Sequence, residues 1–331
     1  MRKFPLAISA VALSFLCSSA HAATLSFGAT TQSVAVDCGF KLKVTQANAF
    51  GTLQLVPPPA ANADPIFTHV CKKGGITISN PTSALAGLGF SIDCGTNQFR
   101  PITGDGTHSG ITLQGFGLAA FNCYVDSFNK GIVTTGDAAD IEDNRVTNCT
   151  GDGFSLRSTV PLNSQNLNGL FINGNRSINN GGWGFNIAAS GIDAEQGSFF
   201  FNTANGNGKG GFLIKGNGNT LSGGIASSNK GPGIFVVSTS CCSNITGSQD
   251  LDTFQADNNA GPAIIYAAKD DGSNSGLPTG FDSTPGGIDV TNDGKNASCP
   301  AGSVDPTGTN KEICLKVLGK PCSDKALNAC P

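Results

Sequence analysis

Charge is what this sequence has least of. Asp, Glu, Lys and Arg make up 13% of its 331 residues, about half the usual ~25%. The formal net charge is -3. There is no basic patch or long Lys/Arg run, so nucleic-acid binding has no electrostatic footprint. No C-x-x-C pair occurs, and His69 and His108 are the only histidines beyond residue 22, which leaves no zinc-ligand set. Helix-forming pattern is lacking too: between Gly74 and Gly287 no amphipathic stretch of useful length appears. The one strongly apolar segment, Phe4 to Leu16, is well short of the ~20 residues that span a bilayer.

That segment reads as an export signal. Arg2 and Lys3 precede it and Ala20-His21-Ala22 follows as a small-x-small cleavage site, so residues 1–22 are expected to be removed. The mature chain is then secreted or periplasmic. Of 12 cysteines only Cys17 lies in the signal, and in an exported protein disulfides are the default for the rest. Their odd number leaves at least one thiol free or paired between chains. Cys123 and Cys149 are expected in adjacent coils and fit buried stack residues. Cys241-Cys242 sit in an excursion from Ser238 to Ser248.

What the chain has in quantity is glycine and asparagine, and they recur. Gly110, Gly131, Gly153, Gly184, Gly211 and Gly233 open short apolar runs and are spaced 21, 22, 31, 27 and 22 residues apart. After the last five stand Ile132, Phe154, Phe185, Phe212 and Ile234; two residues further on stand Thr134, Leu156, Ile187, Ile214 and Val236. Nine residues before four of those five glycines are Asn122, Asn144, Asn175 and Asn202, with Gly224 breaking the series. Twelve before stand Ala119, Ile141, Ile172, Phe199 and Leu221. A period of this length marks a solenoid, and the alternation within each run has the strand period. Such units bury their apolar face only by stacking. Stacked Asn residues suit the turns and can bond to one another along the stack.

The Asn series and the G-[IF]-x-[LIVT] strands resemble the right-handed parallel β-helix family, the pectin-lyase-like fold, over about residues 70 to 270. The expected architecture is all-β: a single-stranded right-handed parallel β-helix over 70–285, an N-terminal cap region at 23–69 and a cysteine-rich C-terminal tail at 286–331. Coils are expected to begin near Gly75 and Gly89, and the unit at Ala263 is the last recognisable one. The fold hosts lyases, hydrolases, epimerases, adhesins and tailspikes, so function has to be argued from a site.

If the residue after each glycine points inward, the next points out. One outward row reads Thr112, Val133, Ser155, Asn186, Leu213, Phe235, Ile265; the other reads Gln114, Thr135, Arg157, Ala188, Lys215, Val237. Both turn apolar over the later coils, which implies a cover (the cysteine-rich tail) or a protein partner on that face. The position before each glycine holds Lys130, Asp152, Trp183, Gly210 and Pro232. Lys130, Asp152 and Arg157 are the candidate catalytic residues; Trp183, Lys215 and Asn186 are candidates for substrate binding. Trp stacks on sugar rings and Arg grips carboxylates. Asp152 suits acid–base chemistry or a Ca²⁺ ion, the one cofactor the pattern admits. Asp137, Asp140 and Asp143 are expected on a turn away from this face.

The resemblance does not extend to a catalytic set. The D-D, N-T-D, G-H-G and R-I-K motifs of polygalacturonase-like hydrolases are absent from the coils. Arg100-Pro101 has the wrong spacing for the R-x-P context of pectate lyases, and the D-P-H signature of alginate epimerases does not occur. The resemblance therefore implies an exported protein that binds or cleaves an acidic extracellular polysaccharide, or a non-enzymatic surface or matrix protein of the same architecture.

Overall fold

The computed structural model describes residues 31–44, 51–56, 66–80, 89–95, 100–136, 139–158, 170–189, 198–215, 220–237, 244–245, 254–262, 264–268, 288–289 and 313–317. The export signal, Asp137 and Cys299, Cys322 and Cys330 of the tail lie outside these residues. So do Cys241 and Cys242.

The chain winds as a parallel β-helix. Three sheets run along it, of ten, nine and eight strands, and every strand joins its neighbour one coil away in parallel. The glycine-led runs form the ten-stranded sheet, from Phe40–Lys43 to Ile313–Val317. Short strands such as Asp140–Glu142 build the nine-stranded sheet, and Arg145–Thr147 and its equivalents build the eight-stranded one. Among the described residues no helix is long and apolar enough to cross a membrane.

Alternation sorts the side chains. Ile132 and Thr134 are buried while Val133 and Thr135 are partly open. Ile76, Ile111, Ile132, Phe154, Phe185, Phe212 and Ile234 make one continuous internal row. Three of them stack face to face: Phe154 on Phe185 at 4.6 Å and Phe185 on Phe212 at 4.8 Å. That is the strand spacing itself. The glycine opening each run is required by space, because a Cβ on Gly131 would stand 2.1 Å from Val146 Cγ1 across the interior.

Two asparagine ladders hold the corners. In the first, Asn175 Oδ1 accepts the backbone N–H and the side-chain amide of Asn144, each at 3.0 Å, and Asn202 Oδ1 serves Asn175 in the same way. Each amide also donates to a backbone carbonyl of the coil before, as Asn175 Nδ2 does to Ile141 at 2.7 Å. The second ladder runs Asn180, Asn207, Asn229, Asn259 with the same bonds. Its residues stand four before the glycine or alanine that opens each run.

Asn122 is not a rung. The strand register sets Ile141 against Ala120, which places Cys123 opposite Asn144. Asn122 instead occupies the preceding left-handed position, with φ 55°, as Asp143 does with φ 53°. By the same register the inward partner of Ile141 is Ala120, where the offset of twelve points to Ala119. The cause is one residue fewer between the corner and the strand: Phe128 precedes Gly131 by three, whereas its partner Cys149 precedes Gly153 by four.

Residues expected as a cap also enter the sheets. Thr31–Val34 pairs with Thr52–Leu55, and Phe40–Lys43 pairs with Ile76–Asn80. Gly89 differs from the other run-opening glycines, since Phe90–Asp93 belongs to the nine-stranded sheet. At the other end, Ile313–Val317 of the tail lies beside Ile264–Ala268 as the final strand of the ten-stranded sheet. Disulfides Cys38–Cys71 and Cys94–Cys123 clip the early coils. Cys149 is free and buried, the inert stack residue its position suggests.

Candidate functional site

The outer face of the ten-stranded sheet brings together most of the candidate residues. Strand register sets Lys130 opposite Asp152 and Asp152 opposite Trp183, because Ile132 faces Phe154 and Phe154 faces Phe185. Ser155 pairs with Asn186 and Arg157 with Ala188, which in turn pairs with Lys215. These pairings form three parallel rows across neighbouring coils.

Asp152 is 8% exposed and fully engaged. Its Oδ1 accepts the Trp183 backbone N–H at 2.8 Å, and its Oδ2 accepts from Asn186 Nδ2 at 2.8 Å. The carboxylate lies over Gly182, where a Cβ would come within 2.3 Å of Oδ1. A buried carboxylate with each oxygen bonded to the next coil is a staple between coils. Asn186 is thereby fixed as its partner, with the remainder of its amide toward the face. Lys130 is half-buried and its Nζ reaches Ser155 Oγ at 3.4 Å, although Ser155 is only 1% exposed. Sequence reading passed over Ser155, because a serine in a strand row carries no signal of its own.

Trp183 does not stand free. Its ring covers Gly210, where a Cβ would meet Cζ3 at 2.2 Å, and its centroid is 6.3 Å from that of Phe235. The indole closes the apolar end of the face and stays half-exposed. Arg157 is exposed, and its backbone N–H is tied to Thr134 Oγ1 at 3.2 Å. Its guanidinium is therefore carried on a fixed strand. Lys215 follows in the same row.

Two residues of the apolar outward row, Leu213 and Ile265, are buried, each 6% exposed. Phe235, between them in the row, is partly exposed.

A second cluster escaped the sequence reading in part. Asp140 lies in a strand of the nine-stranded sheet, not on a turn, with Glu142 two residues on and on the same side. Burial pushes the Asp140 carboxyl up to about 6, and the neighbouring Glu142 charge and hydrogen bond add to it. Its Oδ1 is buried and has no partner. Asp143 sits in the following turn, as expected, and is exposed. Among the described residues no group of three or more His, Cys, Asp or Glu side chains is placed to hold a metal ion.

No protein-family model and no curated protein matches the chain. Among solved structures it is similar to the A-module of the mannuronan C-5 epimerase of Azotobacter vinelandii, at 14% identity and a TM-score of 0.36, over 87% of this chain and 74% of that one.

Proposed function

We propose that this is an exported binding protein for acidic polysaccharide, with the outer face of the ten-stranded sheet as its docking surface. The observation that carries the reading is the charge arrangement of that face. Arg157 is exposed on a rigid strand and Lys130 borders it, while the acid between them, Asp152, is buried and satisfied by Trp183 and Asn186. Lys43 continues the Arg157 row toward the start of the stack through Ser79, Gln114 and Thr135, and Lys41 continues the adjacent row; both lysines are exposed. A face with exposed Arg157, Lys41 and Lys43 against one buried carboxylate favours a polyanion laid across the strands. Bidentate pairing of Arg157 with a uronate carboxylate is the strongest single contact such a surface offers.

Binding is favoured over cleavage by the state of Asp152. A general acid or base has to come within hydrogen-bond reach of substrate, and Asp152 is only 8% exposed with both oxygens bonded to the next coil. The two disulfides support an oxidising, extracytoplasmic setting.

The test is titration of the purified chain with polygalacturonate and with a neutral polymer of similar length, while reducing ends and unsaturated products are followed. Preference for the acidic polymer without product is the expected result. Arg157→Gln should weaken that binding by about tenfold, the lower end for a hydrogen bond to a charged group. Equal affinity for both polymers, or none for either, refutes the reading. Product release would convert it into an enzyme and place the catalytic group outside Asp152.

A further inference from the structure

A second cationic feature lies on a different sheet. Arg145 and Arg176 are exact neighbours in the register of the eight-stranded sheet, and Tyr124 precedes Arg145 in the same row. The Arg145 guanidinium carbon sits 4.8 Å from the Tyr124 ring centroid. Both arginines are exposed and Tyr124 is half-buried.

Two like charges on adjacent strands repel, and cross-strand pairs of this kind are destabilising. Among the described residues neither arginine forms an ion pair with an acid. Asp126, two positions along the Tyr124 strand, is occupied by Thr147 Oγ1, by Asn148 Nδ2 at 2.8 Å and by Ser127 Oγ at 2.8 Å. Asp143, in the turn before Arg145, lies against Gly174, where a Cβ would stand 2.4 Å from its Oδ1.

The positions of the arginines are also fixed with unusual firmness. Each directly follows a rung of the first ladder, Asn144 or Asn175. Their backbone N–H groups donate to Cys123 and Asn144 carbonyls, each at 2.8 Å. Two exposed arginines thus stand side by side in the strand register beside the first ladder, with the Arg145 guanidinium over the Tyr124 ring.

We propose that Tyr124, Arg145 and Arg176 form a second docking site for acidic polysaccharide, separate from the face that carries Arg157. The arginines take carboxylates of neighbouring uronate residues in bidentate fashion, and Tyr124 supports Arg145 and offers its ring edge to the sugar. The ligand class rests on the function proposed above; the site itself rests on the paired, unrelieved charges. Two such faces on one rigid rod make the protein bivalent, able to hold two chains or two stretches of one chain.

Polygalacturonate binding to the full chain would be measured for wild type, Arg145→Gln/Arg176→Gln, Arg145→Lys/Arg176→Lys and Arg157→Gln, with a single-stranded oligonucleotide as the competing polyanion. The glutamine pair should lose about tenfold in affinity, as expected for exposed charge-assisted contacts. The lysine pair should recover only part of that loss, because charge is kept and the fork is not. Melting of the glutamine pair should be unchanged or slightly raised, because both arginines are exposed and their mutual repulsion is removed, and the other variants should melt as wild type. Wild-type affinity in the glutamine pair overturns the site, and if Arg157→Gln is weakened at the same time the first face still stands. Loss in the pair with none in Arg157→Gln supports the site and refutes the first face. Tighter binding of the oligonucleotide than of polygalacturonate, lost in the same pair, overturns the ligand class. Failure of wild type to bind polygalacturonate overturns both.

Discussion

Replacing Asn175 by alanine probes the ladders most directly. Asn175 is fully buried, and its side chain makes four hydrogen bonds: two accepted from Asn144, and one donated to each of Ile141 O and Asn202 Oδ1. After truncation most of the partners keep something. Asn144 Nδ2 still reaches Ala120 O, and Asn202 Oδ1 still accepts the Asn175 backbone N–H. The Asn144 backbone N–H is left with nothing in a buried site. An orphaned buried donor costs about 1 to 3 kcal/mol, and the net worth of each bond lost is about 0.5 to 1.5 kcal/mol. A loss of about 2 to 4 kcal/mol follows once the partial compensation is counted. Asn122→Gly is the matched control. It gives up one bond to Asp93 at 3.1 Å and gains a residue suited to φ 55°, so its stability should stay within about 0.5 kcal/mol of wild type. Denaturant unfolding, read by midpoint at constant slope, measures both. Equal midpoints for Asn175→Ala and wild type would show that the ladder carries no energy. An equal loss in Asn122→Gly would show that any corner asparagine side chain contributes as much as a ladder rung.

Three further outcomes follow from the structure. Asp140 has its folded pKa raised to about 6 from 3.8, so its contribution is full below the lower value and is lost as pH rises through about 6. Asp140→Asn should therefore stabilise the protein above that pH, by about 1 kcal/mol after discounting for a half-exposed group, and thermal unfolding at several pH values checks it. Opening the Cys94–Cys123 bridge, which closes a separation of 29 residues, should cost about 3 to 4 kcal/mol by loop entropy; a double alanine variant with an unchanged denaturation midpoint would contradict this. Burial pushes the Cys149 thiol up to about 12, so the labelled peptide containing it should appear by mass spectrometry only after denaturation.

Much of the fold was legible because a coil repeats its chemistry. Gly131, Gly153 and Gly184 recur for lack of space, and Phe154, Phe185 and Phe212 recur because their rings stack. The second ladder, Asn180 to Asn259, was equally regular and was passed over because its rungs lie among glycine-rich corners that read as ordinary turns. Asn122 misled by one position. A coil can drop a residue at a corner without disturbing its strands, so fixed sequence offsets drift where hydrogen-bond register does not. On the candidate face, Arg157 and Lys130 fell where alternation put them. The commitment of Asp152 to Trp183 and Asn186 was not readable, since it depends on residues 31 and 34 positions away in sequence. The Arg145–Arg176 pair is written in the repeated Asn-Arg dipeptide, yet only register shows that the two residues are neighbours.

The staples along the rod overlap like the courses of a brick wall. Cys94–Cys123 hands over to Cys123 N–H on Asn144, that ladder runs to Asn202, and before it ends the second has begun at Cys149 N–H on Asn180 and continues to Asn259. A crack opening between two coils in this span has to break side-chain amides or a covalent bond as well as backbone pairing. Nearer the start the masonry is of another kind: where the coil of Thr52–Leu55 meets that of Phe90–Asp93, the described bridges are a hydroxyl contact, Thr52 to Ser91 at 2.9 Å, and the Asn80 amide donating to Phe116 O at 2.8 Å. A protein hung between two polymer chains would bear tension along its central span through these overlapping bonds.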